Sequence, residues 1–158
     1  MTTVIDRRRA GRAGSASEEF VTLMVGGQLC GIPVLTVRDV LGPQSVTRVP
    51  LAPPEVAGSL NLRGRIVTAI DLRRRLGLSP AGEGVRAMSV VVEAGGEFYS
   101  LLVDQVGEVL SLDEEAREAN PPTLDARWRG VSSGVFRLQG ELMIVLDVER
   151  VLDLGVPG

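Results

Sequence analysis

The feature that most constrains this chain is an internal repeat. Residues 26–41, GGQLCGIPVLTVRDVL, align without gaps on residues 95–110, GGEFYSLLVDQVGEVL, at an offset of 69. Both glycines are shared, as are Val34/Val103, Val37/Val106, Val40/Val109 and Leu41/Leu110. A second block, residues 58–76 (GSLNLRGRIVTAIDLRRRL), falls on residues 134–152 (GVFRLQGELMIVLDVERVL) at an offset of 76. There Gly58/Gly134, Leu62/Leu138, Gly64/Gly140, Asp71/Asp147, Arg74/Arg150 and Leu76/Leu152 are identical. Two blocks in the same order, with the same glycines, make the chain a duplicated unit.

Each copy reads the same way locally. Phe20–Val25 and Met88–Glu93 are apolar, β-branched-rich runs of strand length, each followed by Gly-Gly. Two glycines supply two residues of positive φ, which a tight hairpin turn needs. The returning strands are expected over Gln28–Pro33 and Glu97–Val103. A second hairpin is expected from Leu60–Arg63, a Gly64-Arg65 turn and Ile66–Ile70. Its copy is Val135–Leu138, Gln139-Gly140 and Glu141–Leu146. Short strands, tight turns, nineteen glycines and nine prolines point to a mainly β chain of small antiparallel barrels or sandwiches, with helix only in short pieces. Asp71 and Asp147 each follow a strand and precede a Leu/Arg-rich turn, as helix N-caps do, and are read as structural caps.

Composition removes most catalytic engines. Histidine and lysine are both absent, so imidazole-based triads, imidazole metal sites, Schiff-base lysines and the P-loop lysine have no residues to use. The one cysteine, Cys30, makes no internal disulfide or Cys-rich zinc site, and it lies in a strand pattern. No catalytic residue, metal ligand or cofactor motif is assigned. The densest acidic run, Asp113-Glu114-Glu115, reads as a solvated loop or helix start, although two carboxylates can in principle support hydrolysis. Arg73-Arg74-Arg75 reads as the solvated face of a short helix. A net charge of −3 and five aromatic residues argue against a nucleic-acid surface.

The repeat also separates what the fold needs from what it leaves free. At the second hairpin one copy reads Asn61-Leu62-Arg63-Gly64 and the other Arg137-Leu138-Gln139-Gly140. Leucine and glycine stay; Asn61 and Arg63 alternate with Leu62 and face the other way. The stretch Gly58–Leu76, with its N-L-R-G hairpin and D-L-R-R-R continuation, resembles the signature of CheW-type chemotaxis coupling proteins. Cys30–Leu41, Val46–Pro50 and Val103–Leu110 resemble that family in order and spacing. The resemblance spans about residues 18 to 153, and implies two intertwined, five-stranded, SH3-like β-barrel subdomains. The first subdomain is expected at about 20–77, with the repeat copy at 88–152 forming the second.

The function it implies is a non-catalytic adaptor linking the cytoplasmic tips of chemoreceptors to the regulatory domain of a CheA-type histidine kinase. By that resemblance Val37, Asp39, Asn61 and Arg63 match receptor-facing positions. Gly42, Val46 and Gly58 lie in the region that meets the kinase. The alternatives are an adaptor of a kinase pathway other than chemotaxis, an Arg-based anion or nucleic-acid binder, and a two-carboxylate hydrolase. Residues 1–17 carry Arg7, Arg8, Arg9 and Arg12 without an apolar run after them, and read as a disordered basic arm dispensable for folding. Residues 154–158 read as a tail. A cytoplasmic protein with no direct membrane insertion, no nucleic-acid partner and no cofactor is expected.

Overall fold

The computed structural model describes residues 16–82 and 84–153. Ten strands carry the fold: β1 (Ser17–Val25), β2 (Gln28–Pro33), β3 (Val37–Leu41), β4 (Val56–Leu62), β5 (Arg65–Asp71), β6 (Met88–Ala94), β7 (Glu97–Val103), β8 (Gln105–Asp113), β9 (Ser132–Leu138) and β10 (Glu141–Leu146). Short helices follow β5 (α1, Leu72–Arg75), precede β9 (α2, Ala126–Val131) and follow β10 (α3, Val148–Leu152). The fold is mainly β, with two five-stranded sheets, as the repeat and the resemblance implied.

The two halves are exchanged between the sheets. Sheet A has the order β8-β1-β2-β10-β9 and sheet B the order β3-β6-β7-β5-β4. Each sheet therefore takes the first hairpin of one copy and the last three strands of the other. The boundaries 20–77 and 88–152 mark the sequence copies, not the sheets. The seams are the two parallel pairings, β2 with β10 (Cys30↔Ile144) and β5 with β7 (Thr68↔Tyr99). Parallel neighbours cannot be joined by a tight turn, so a duplicated chain makes them by crossing over.

The basic-arm reading ends earlier than expected. Ser17 already opens β1 opposite Asp113, and the Ala16 carbonyl accepts from the Glu114 amide at 2.9 Å. Residues 1–15 and the tail at 154–158 lie outside the described residues.

One core serves both sheets. Leu23, Ile32 and Ile144 from sheet A meet Ile70, Val92 and Leu101 from sheet B, together with Trp128 of α2 and Val151 of α3. Sheet A also encloses Phe20 and Phe136, edge to face at 5.5 Å, with Met143 beside them. At the equivalent places sheet B has Ser89 and Leu60. Its interior is built from small groups: Leu60, Val67 and Ala69, and a buried hydroxyl pair between Ser89 and Ser100.

Asp71 and Asp147 sit at the starts of α1 and α3. The Asp71 carboxylate accepts from the Arg73 amide at 3.0 Å and the Arg74 amide at 3.4 Å. That of Asp147 accepts from Glu149 at 3.0 Å and Arg150 at 3.3 Å. Loss of such a cap typically costs about 1 kcal/mol, whereas Asn caps nearly as well as Asp. Asp71→Ala should therefore lower stability by about 1 kcal/mol in denaturant titration, with Asp71→Asn close to wild type. Equal stability of Asp71→Ala and wild type would contradict the cap.

The arginine run is only partly a solvated face. Arg74 is exposed, but Arg75 reaches α3 and donates to the carbonyls of Val151 and Arg150, both at 2.8 Å. Arg73 forms a bidentate pair with Asp104, at 2.9 and 2.8 Å, and Asp104 also accepts from the Gly26 amide at 2.8 Å. This carboxylate ties the β1–β2 turn of sheet A to α1, which leaves sheet B. The other copy has Leu35 and Glu149 at the corresponding positions and no such tie.

Hydrogen bonding from Arg73 and then from the Gly26 amide outweighs partial burial and holds the Asp104 carboxyl below the usual carboxylate value. A folded value below the unfolded one, about 3.9, means the stabilisation is complete above that pH. It is lost as pH falls through the folded value. Asp104→Asn should cost about 1 kcal/mol near neutrality, after discounting for solvent screening of a partly exposed pair. The difference should shrink below the normal carboxylate range. A stability gap between the two proteins that persists unchanged into strong acid would contradict this account.

Candidate functional site

β3 and β4 are the two edges of sheet B, and the outer side of β4 carries a single bridge, from Ser59 to Thr47. β4 and β5 are joined by a two-residue turn at Arg63-Gly64, not at Gly64-Arg65 as the strand alternation suggested. Both turn residues are left-handed, with φ of 53° and 83°. That is the turn geometry whose twist suits a tight hairpin, and it prefers Asn-Gly or Gly-Gly. Arginine in this conformation costs roughly 1 kcal/mol. Asn61 supports the turn from the preceding strand: its Oδ1 accepts from the Gly64 amide at 3.0 Å.

Turning at Arg63 brings that side chain over β3. Its Nη2 lies 3.5 Å from Asp39 Oδ2; the Arg63 side chain is 81% exposed and that of Asp39 29%. A loose pair this exposed contributes little to stability, so both groups are available to another molecule. Between them opens a groove of about 250 Å³ lined by Arg38, Asp39, Leu62, Arg63, Arg65, Val91 and Phe98. Leu62, Val91 and Phe98 give it an apolar floor. Asp39 and Arg63 meet here, and Asn61 holds the turn. Val37 does not line the groove; half-buried opposite Val92, it packs on the shared core.

Sequence reasoning misses Arg65 and Phe98. Phe98 comes from β7 of the other copy and reaches this place only through the parallel β5–β7 seam. The exposure of Arg65 follows from its position at the hairpin tip.

The second group of expected residues lies at the β3–β4 connection. The segment after β3 returns over β4, where Thr47 and Ser59 exchange backbone hydrogen bonds at 2.8 Å. Gly58 is buried beneath that crossing with φ 152°. A Cβ there would overlap the Thr47 carbonyl and come within 2.8 Å of Val46 Cγ1. Val46 in turn packs on Leu60, Val67 and Ala69. Val46 and Gly58 are thus adjacent. Gly42 stands apart on an exposed bend, with open space around it. Beside Gly58 lies a concavity of about 470 Å³, lined by residues 48–54 with Val56, Ala57, Asp71 and Arg74, above which Val49 and Leu51 are exposed.

Neither Cys30 nor the acidic run Asp113-Glu114-Glu115 lines either site. Burial pushes the Cys30 thiol up, far from the thiolate form that reacts. Asp113 is buried and accepts from the Glu115 amide at 2.9 Å, capping a short turn, and Glu114 pairs with Arg117. Among the described residues no group of three or more His, Cys, Asp or Glu could hold a metal ion, and no helix is long and apolar enough to cross a membrane.

Comparison with known proteins agrees with this fold. Residues 19–155 match the CheW-like domain family. The chemotaxis protein CheW of Rhizobium meliloti is 27% identical over 137 residues, covering 87% of this chain and 88% of that protein. The CheW of Klebsiella aerogenes is 29% identical over 138 residues, covering 87% and 83%. Among solved structures, the scaffolding protein TtCheW of Thermoanaerobacter tengcongensis superposes with a TM-score of 0.78. It is 28% identical, and the match covers 88% of this chain and 94% of that one. A family match over nearly the whole chain, carried by the same two-sheet fold, makes this chain a member of the CheW-like domain family.

Proposed function

We propose that the chain is a non-catalytic coupling scaffold of chemotaxis signalling, which holds a chemoreceptor tip and a CheA-type histidine kinase at two separate places on one subdomain. The observation that carries this reading is the pairing at the edge of sheet B. A strained, exposed Arg63 stands over a half-buried Asp39 at the rim of an apolar-floored groove. A residue kept in an unfavourable backbone conformation, with a loose and exposed ion pair that offsets little of the cost, fits a binding role better than a structural one. The receptor tip takes the groove, with Asp39 and Arg63 as contacts, Asn61 as the support of the turn and Val37 fixing the start of β3 against the core. The kinase regulatory domain takes the surface around Gly42, Val46 and Gly58. There Gly58 acts by letting Thr47 cross β4, and the exposed Val49 and Leu51 offer apolar contact area.

The separation of the two places is what the experiment tests. The chain is titrated with a receptor cytoplasmic fragment and, separately, with the kinase regulatory domain. Substitution at Arg63 should weaken the first titration and leave the second within about twofold of wild type, as expected for non-overlapping contacts. Equal loss in both, with an unchanged melt, would reject the assignment of two sites.

A further inference from the structure

We infer that Arg65, held over the ring of Phe98, is a specificity-determining contact that reads a carboxylate on the receptor helix lying in the sheet-B groove. This rests on the receptor reading given above and adds to it the chemistry of the docked face: an apolar ridge flanked by an acidic side chain.

The groove gathers three guanidinium groups, of Arg38, Arg63 and Arg65, on a chain whose net charge is −3. Arg38 is compensated by Glu93 at 2.9 Å, and Arg63 faces Asp39 at 3.5 Å. Arg65 has no carboxylate: among the described residues its one recorded interaction is with Phe98, whose ring centre lies 4.3 Å from its Cζ. The groove therefore carries one uncompensated positive charge in an otherwise acidic protein. A partner that brings a carboxylate completes it.

Geometry makes that charge selective. A guanidinium lying on an aromatic face is restrained in its plane, with its N–H edge directed outward for bidentate contact with a carboxylate. The ring beneath also forms part of the apolar floor, so one residue pair offers an apolar surface and a directed cation side by side. On a helix, a carboxylate and an apolar side chain three or four positions apart share a face and meet both features at once.

The repeat shows that the fold does not require this arrangement. The residue equivalent to Arg65 is Glu141 and that equivalent to Phe98 is Leu29. At the same hairpin in sheet A, Arg137 is held by Glu118 at 2.9 Å, and Arg117 covers Phe20 and Phe136 at 5.7 and 5.4 Å. There the cations have carboxylate partners, Glu118 for Arg137 and Glu18 and Glu114 for Arg117; in sheet B, among the described residues, none is recorded for Arg65.

The test titrates a dimeric cytoplasmic fragment of a methyl-accepting chemotaxis receptor from the same genome against wild type, R65Q, R65E and R63A, at about 50 mM and about 500 mM NaCl. Arg65 is exposed, so R65Q and R65E should keep the wild-type melt. R65E should bind about tenfold more weakly at low salt, R65Q should fall between, and the gap should close to about threefold or less at high salt. Reversing one glutamate of the receptor tip to arginine should restore binding to R65E. If R63A weakens binding while R65Q and R65E bind as tightly as wild type, the assignment of Arg65 is overturned and the receptor site stands. If wild type does not bind the fragment at all, the receptor reading fails together with the inference built on it.

Discussion

Gly58→Ala should destabilise the fold by about 3 kcal/mol, the combined scale of a strained φ and of overpacking against an immovable neighbour. The neighbour is backbone: the Thr47 carbonyl, which is bonded to Ser59 and cannot swing aside as a flexible side chain would. To admit a methyl group the connection must lift from β4, breaking the two Thr47–Ser59 hydrogen bonds and withdrawing Val46 from Leu60, Val67 and Ala69. Denaturant unfolding gives the stability, and kinase titration of the folded fraction gives the function. Kinase binding should fall more than receptor binding, because the displaced segment carries Val46 and leads to Val49 and Leu51. Gly134, at φ 146° beneath Glu118, repeats the device, with the Glu118 carbonyl 3.0 Å from where its Cβ would be. Gly134→Ala should also destabilise but leave kinase binding by the folded protein intact. A Gly58→Ala protein as stable as wild type would show that the crossing segment is not held where it lies.

Arg63→Ala should lose about 1–3 kcal/mol of receptor binding, the range of interface hot spots, while changing stability by about 0.5 kcal/mol or less, as exposed positions do. Backbone geometry provides a sharper variant. Asn-Gly suits the two-residue turn better than Arg-Gly, so Arg63→Asn should be more stable than wild type by up to about 1 kcal/mol. It should still bind receptor poorly. A variant that gains stability as it loses binding separates function from fold in a way that Ala alone does not. Arg63→Asn binding as tightly as wild type would show that the guanidinium is not a contact.

The repeat makes a good part of this structure legible in the sequence. Both Gly-Gly hairpins, the hairpin ending at Gly140, and Asp71 and Asp147 at helix starts follow from local chemistry written twice. Alignment with Gln139-Gly140 is enough to place the turn at Arg63-Gly64, whereas strand alternation alone carries β4 one residue too far. The parallel seams are not legible, because nothing local to β5 specifies β7 as its neighbour rather than another apolar strand. Phe98 therefore cannot be brought to the groove from sequence alone. Arg73 and Arg75 read as solvated because their partners come from the other copy: Asp104 for the first, and the carbonyls of Arg150 and Val151 on α3 for the second.

The proposed function has one chain join two partners, and the most direct measurement of that joining is recruitment. Receptor cytoplasmic fragments are assembled and sedimented with the kinase in the presence and absence of this chain. The amount of kinase in the pellet should rise with added chain until the receptor sites are filled, and Arg63→Ala should shift that rise to higher concentration of the chain while still binding the kinase regulatory domain in solution. Kinase sedimenting to the same extent with and without the chain, although each partner binds it alone, would contradict the account.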